Sequence, residues 1–170
     1  MFTARQFRNK PLINIVDGKH LGMIEDLYLD KSLDMVKAVF LGSEGFITRR
    51  SYVVDLASIQ VCGSDAWLVR GADKVVNLEQ YPETDSIILA GTLKGREIQT
   101  DGGTKIGTVD DVILDPEAKV IGFSLGRVHV HGPLAERRQI ARSAISNVGS
   151  EDRPMIAQLE TAESVEVPEG

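Results

Sequence analysis

The strongest constraint on this chain is that it is written nearly twice. LGMIEDLYLD at residues 21–30 returns as IGTVDDVILD at 106–115, pairing Gly22 with Gly107, Asp26 with Asp111 and Asp30 with Asp115 at an offset of 85. VKAVFLG at 36–42 returns as VIGFSLG at 120–126, offset 84. Arg49-Arg50 returns as Arg137-Arg138, and Ile59 and Gly63 match Ile145 and Gly149 at 86. A correspondence that drifts by only a few residues over so long a stretch describes two copies of one plan with altered turn lengths. Units of about 85 residues sit near the size at which a single core is marginal. The two copies are therefore expected to dock on each other.

Short runs rich in β-branched residues, cut by Gly, Asp and Pro, dominate both copies, and long stretches of 3.6-residue periodicity are missing. The sequence predicts a mainly β protein of two tandem small units, each with a short helical turn. Strands are placed at 12–15, 21–29, 35–41, 51–54 and 66–69 in the first copy. Those of the second fall at 96–99, 106–114, 120–130, 139–141 and 155–159. Turns are expected at Asp17-Gly18, 30–34, 42–45 and 63–65, then at 101–103, Asp115-Pro116 and Gly149-Ser150. The helical turns follow Val54 and Arg142, with Asp55 and Ser143 as caps. The predicted domains are 1–80 and 86–163, joined by a linker at 79–85 around Pro82, with a disordered tail at 164–170. Alternation breaks at the same place in both copies, where Glu25-Asp26 and Asp110-Asp111 lie between apolar positions. Two adjacent polar residues there predict a β-bulge, which coils a strand as a small barrel requires.

This pattern of a glycine, a hydrophobe, an acidic pair ending in Asp, alternating apolar residues and a closing Asp resembles the PRC-barrel family, named for the photosynthetic reaction-centre H subunit. It recurs at Gly22–Asp30 and Gly107–Asp115, followed by strands ending in Gly42 and Gly126 and by the stretches Tyr52–Gly63 and Ile140–Gly149. The resemblance covers roughly residues 8–70 and 91–160. It implies a small barrel that works by holding partners: in the reaction-centre subunit the domain caps a membrane complex, and in a ribosome-maturation factor it helps engage the small ribosomal subunit.

Composition narrows the remaining classes. The net charge of −6 is shared between the halves, −2 over residues 1–85 and −4 over 86–170, which argues against generic polyanion binding. The longest apolar runs fall short of the ~20 residues needed to span a bilayer. A single cysteine, Cys62, provides no disulfide framework or cysteine zinc cluster, and the N-terminus has no signal-peptide pattern, so a cytoplasmic location is expected.

Candidate chemistry is sparse. Neighbouring carboxylates at 25–26 and 110–111 point to opposite faces of a strand, which suits a bulge better than acid–base catalysis. His129 and His131 share a face if Val128–Val130 stays extended, and form half of a metal site for which Glu136 or His20 would have to supply a third ligand. The alternatives for that pair are a solvated contact or a pH-sensitive one. The glycine-rich stretches at 42–45 and 101–104 lead into no helix and lysine of a phosphate cradle and read as hairpin turns. Arg49, Arg50, Arg137 and Arg138 precede the fourth strand of each copy and are the candidate partner-binding residues, or else shield a strand edge. No nucleophile arrangement is present, so the chain is not expected to be an enzyme and no cofactor is expected. The leading reading is a scaffold or adaptor for a protein partner or larger complex, possible clients by resemblance being photosynthetic ones, with the protein a monomer or homodimer. The alternatives are an RNA- or ribosome-associated maturation factor and a metal module using His129 and His131.

Overall fold

The structure is a computed structural model and describes residues 1–169. Strands take 46% of the residues and helical turns 20%, so the architecture is β with short connecting turns. Among the described residues the α-helices are two short ones, Pro133–Arg137 and Leu159–Ser164. The sheets curl into half-barrels, and the chain divides into two compact units.

The unit built from the first copy comprises Arg5–Lys31 and Val36–Leu89. Its five-stranded sheet runs in the order Ile87–Leu89, Asp26–Asp30, Val36–Glu44, Arg50–Asp55, Val76–Asn77. A four-stranded sheet runs His20–Met23, Pro11–Asn14, Trp67–Val69, Ile59–Cys62, with the central pair parallel. Tyr28, Ala38, Val53, Tyr81 and Ile87 form a core cluster, with Phe40, Val76, Leu78 and Leu89 packed against it. Tyr28 and Phe40 meet edge to face at 5.7 Å, a favoured aromatic geometry.

The unit built from the second copy comprises Met1–Ala4, Ser32–Met35 and the chain from Ala90 onward. One seven-stranded sheet runs Gln139–Ala141, Val120–Val128, Lys105–Leu114, Glu97–Gln99, Met155–Ala157, Ile145–Asn147, with Phe2–Thr3 also paired to Lys105–Leu114. Phe123, Leu93, Ile98, Ile106, Ile113, Leu114 and Leu134 are fully buried.

Each unit takes its opening strand from the other copy. Phe2 faces Leu114 and Thr3 faces Ile113, while Ile88 faces Leu29 and Leu89 faces Tyr28. Both strands lead into a 3₁₀ turn that begins on a buried alanine, Ala4 or Ala90, and the strands they pair with differ by the repeat offset. The exchange is thus the same event carried out twice. The turn Ser32–Met35 also belongs to the second unit, where Leu33 is fully buried and the Val120 amide donates to the Asp34 carbonyl at 2.8 Å.

The bulge lies where the acidic pairs place it. Val109 faces Leu125 but Asp111 faces Ser124, so Asp110 is the extra residue. In the first copy the Glu25 amide donates to the Phe40 carbonyl at 2.9 Å while Asp26 is also the register partner of Phe40. There the bend is sharp enough to divide the predicted strand into His20–Met23 and Asp26–Asp30, whereas Lys105–Leu114 stays continuous.

Other expectations meet the structure differently. Asp55 caps its turn through the Ala57 amide at 2.8 Å, but the second cap position falls on Ala141, and Ser143 lies inside the turn it was expected to start. The segment 79–85, read as a linker, carries Tyr81 into the first unit's core, and Thr84 Oγ1 donates to the Leu78 and Tyr81 carbonyls. The alternating acids of 160–169 hide a short amphipathic helix: Ala162 is fully buried, and Val167 packs on Ile113 and Ala141. Gly42 marks no turn, because the strand continues through it to Glu44. The register slips between Phe40 and Ser43, and Gly42, at φ +93°, accommodates the Glu25 carboxylate where a Cβ would collide with it.

Candidate functional site

The paired carboxylates serve the bulges. Asp26 Oδ1 accepts from the Leu27 amide and Asp111 Oδ1 from the Val112 amide, each at 2.8 Å. A side chain that hydrogen-bonds the next amide stabilises the kinked backbone that an unpaired bulge residue leaves behind. Asp26 also meets Arg8 at 3.5 Å, and Lys94 meets Asp110 at 3.8 Å.

His129 and His131 are both exposed, but the strand ends at Val128, so the alternation that would align them does not extend through the pair. The chain turns away because Gly132 and Pro133 start the helix Pro133–Arg137. Glu136 sits exposed on that helix. Among the described residues, no group of three or more His, Cys, Asp or Glu is placed to hold a metal ion.

The two arginine pairs part company. Arg137 Nη2 donates to the carbonyls of Ala162 and Glu163 at 3.0 and 2.9 Å, and Nη1 lies 3.6 Å from Glu166. Arg138, at φ +53°, ends the helix Pro133–Arg137, and its guanidinium donates to the Gly126 carbonyl. Both side chains hold their own unit together. Arg49 and Arg50 are exposed, with neither an ion pair nor a side-chain hydrogen bond among the described residues. The Arg pairs match in sequence but not in environment, because the second copy inserts a helix where the first has an open hairpin.

That hairpin carries the two most exposed large apolar side chains among the described residues. Its stem pairs Glu44 with Arg50 and Ser43 with Ser51, whose hydroxyls are 2.8 Å apart. Gly45 turns the chain at φ +108°, where a Cβ would run into the Thr48 carbonyl. Beyond it, Phe46 and Ile47 are completely exposed. Placing the turn at 42–45 concealed this tip. The signal was present in Phe46-Ile47, two large apolar residues between a glycine and a basic pair.

Beside the hairpin, Arg50 lines an open groove of about 540 Å³ with Tyr52, Asp73, Val76, Asn77 and Glu79. Arg49 is not part of that lining. The strand Val76–Asn77 is the edge of its sheet, so the groove borders backbone that has no further strand beside it.

Two further residues have roles that the sequence did not announce: Tyr81, and Arg142, which follows Arg137-Arg138 as a further candidate for an acidic partner. Arg142 Nε donates to the Leu33 carbonyl at 2.9 Å, Nη2 to the Ser32 carbonyl at 2.8 Å and Nη1 to the Ile145 carbonyl at 3.2 Å, with Asp34 Oδ1 3.0 Å from Nη2. One guanidinium fork thus fixes a turn more than a hundred residues away in sequence. Tyr81 donates its hydroxyl to Asp55 Oδ2 at 2.9 Å, and burial, reinforced by the Asp55 carboxylate, pushes its ionisation well above the usual tyrosine range. No local pattern announces either pairing.

Two curled β-units with exchanged strands define the class of small β-barrel modules. The PRC-barrel domain model matches residues 1–75 and 86–132, and the chain belongs to the PRC-barrel family, in two tandem copies. Both matched segments include the exchanged strands, and the second stops at the glycine that precedes the inserted helix. No curated protein matches the chain. Domains of this family are generally non-catalytic. No helix among the described residues is long and apolar enough to cross a membrane.

Proposed function

We propose that the protein is a non-enzymatic adaptor that holds a protein partner or multisubunit complex in the cytoplasm, through the face of the first unit that carries Arg49 and Arg50. The observation that carries this reading is the contrast between the arginine pairs: Arg137 and Arg138 are spent on carbonyls of their own unit, whereas Arg49 and Arg50 are exposed with their donors available. Guanidinium groups favour acidic clients and engage carboxylates bidentately, with a geometric selectivity that lysine lacks. The groove beside Arg50 adds Tyr52 and an open sheet edge, on which an extended client segment can pair while an acidic side chain meets Arg50. A photosynthetic complex is one client class that the family resemblance supports.

The test is affinity capture from native lysate with the intact chain and with Arg49→Gln/Arg50→Gln, with and without nuclease. The proposal expects a protein client that survives nuclease and is lost with the double variant. Capture that nuclease abolishes would favour the RNA-associated reading instead, and capture unaffected by the substitutions would move the client surface elsewhere.

A further inference from the structure

Phe46 and Ile47 have relative exposures of 109% and 100%, as open to water as in an extended peptide. Elsewhere in the chain a large apolar side chain in the corresponding connection is put away: Leu134, in the helix that replaces this tip in the second copy, is fully buried. The stem beneath the tip is ordered by its Glu44–Arg50 register and the paired serine hydroxyls, so the two apolar side chains are held out on a braced projection. Thr48 and Arg49 follow directly, and Arg49 lies outside the groove that surrounds Arg50 with Asp73 and Glu79.

We propose that this tip, Gly45–Arg49, seats on an anionic membrane surface, with Phe46 and Ile47 entering the interface between headgroups and acyl chains and Arg49 meeting lipid phosphate. The proposal goes beyond the adaptor reading and shares only Arg49 with it: Phe46 and Ile47 serve this proposal alone and Arg50 the adaptor alone, so substitutions at those positions let either fail without the other. The shape favours a bilayer over a protein groove. An aromatic anchor in a protein interface is normally surrounded by a rim of contacts that excludes water, whereas this tip is a convex point followed by a small polar residue and a guanidinium. A fluid interface admits such a point without a matching pocket, and an arginine at that depth keeps its stem among lipid and its head at the phosphates. Charge complementarity is local: the chain as a whole is acidic, so binding depends on bringing this edge, rather than any face at random, to the anionic leaflet. A single tip gives weak, reversible attachment, suited to concentrating an adaptor at a surface.

The experiment is co-sedimentation of the intact chain with vesicles of phosphatidylcholine containing 30% phosphatidylserine, against pure phosphatidylcholine. The expected result is partition onto the anionic vesicles only, weakened by salt. Phe46→Ala/Ile47→Ala should reduce it about tenfold or more, and Arg49→Gln about fivefold. These residues pack on nothing, so the variants should melt with the parent. In a separate variant, Phe46→Trp emission should shift to the blue on anionic vesicles and be quenched by brominated lipid, against an unchanged contribution from the buried Trp67. Absence of partition overturns the proposal in favour of a protein groove. Partition that survives Phe46→Ala/Ile47→Ala overturns it in favour of surface charge alone. Concentration-dependent dimerisation abolished by the same variant, without vesicle binding, overturns it in favour of a second copy of the chain.

Discussion

Cutting the chain between Pro82 and Glu83 should give two pieces of which neither folds as it does in the whole. The piece 83–170 keeps most of its seven-stranded sheet but loses Phe2–Thr3, Ala4 and the turn 32–35. Leu33 is fully buried in this unit, and its removal alone is comparable to a buried Leu→Ala change, about 3–5 kcal/mol. The two ladder positions add about 0.5–1.5 kcal/mol for each hydrogen bond lost. The Arg142 fork is left over an empty site, with its bonds to the Ser32 and Leu33 carbonyls gone. The piece 1–82 loses Ile87–Leu89, which pairs with Asp30, Leu29 and Tyr28, and with it Ile87 from the core cluster. The deficit of each piece therefore reaches about 5 kcal/mol or more, as large as the whole stability of many domains of this size. The assay is thermal and urea unfolding of each piece, followed by an equimolar mixture. Each alone should be unfolded or self-associated, and mixing should restore a cooperative transition because each supplies the strand the other lacks. If piece 83–170 melts cooperatively at the temperature of the intact chain, the exchanged elements contribute little and the reasoning is wrong.

Arg142→Lys should destabilise the protein by about 2–3 kcal/mol, since one ammonium cannot span three carbonyls and Asp34, and urea midpoints will read the difference. Tyr81→Phe should cost about 1 kcal/mol near neutrality by removing the bond to Asp55. Because the Tyr81 ionisation is raised above its ordinary 10.0, its stabilising contribution is complete below pH 10 and falls as the pH rises toward the folded-state value. The variant should therefore flatten the alkaline loss of stability, leaving the part due to Tyr28, which burial and Asp26 also raise. Arg137→Gln should lower stability by about 2 kcal/mol through the Ala162 and Glu163 carbonyls, whereas Arg49→Gln should change the melting temperature hardly at all. Equal effects of the two would contradict the different environments of the pairs.

The parts of this architecture written in local pattern were legible. The bulges could be read because two adjacent acids interrupted an alternating strand at corresponding places, and the family pattern is built on that same stretch. Asp55 could be read as a cap because capping is decided within two residues. The strand exchange could not, since Phe2–Thr3 and Ile87–Leu89 carry the same apolar signal whichever sheet they join. Tyr81 and Val167 were hidden by their surroundings: acids and Pro82 around the one, and alternating glutamates around the other, look like solvent-facing chain even when one residue in the run is buried. Arg137 failed for the opposite reason. Its resemblance to Arg49 lies in sequence, whereas its role depends on a helix that exists only in the second copy.

This asymmetry bears on how a duplicated module acquires a function. Reciprocal strand donation ties the two copies to one another's folding, so neither sheet can be altered at its exchanged strand without loss to a unit. The connection that leads into Arg50–Asp55 in the first copy and into Gln139–Ala141 in the second is not under that constraint, because no exchanged element pairs with it. In the second copy it is a helix, whose Leu134 is buried and whose closing arginines, Arg137 and Arg138, bind carbonyls. In the first it is a hairpin whose apolar tip residues, Phe46 and Ile47, are fully exposed. Two identical open tips on one chain would present the same chemistry twice. Closing one of them confines that chemistry to a single edge, which lets a protein of net negative charge approach an anionic surface in one orientation, with its remaining faces kept for other partners.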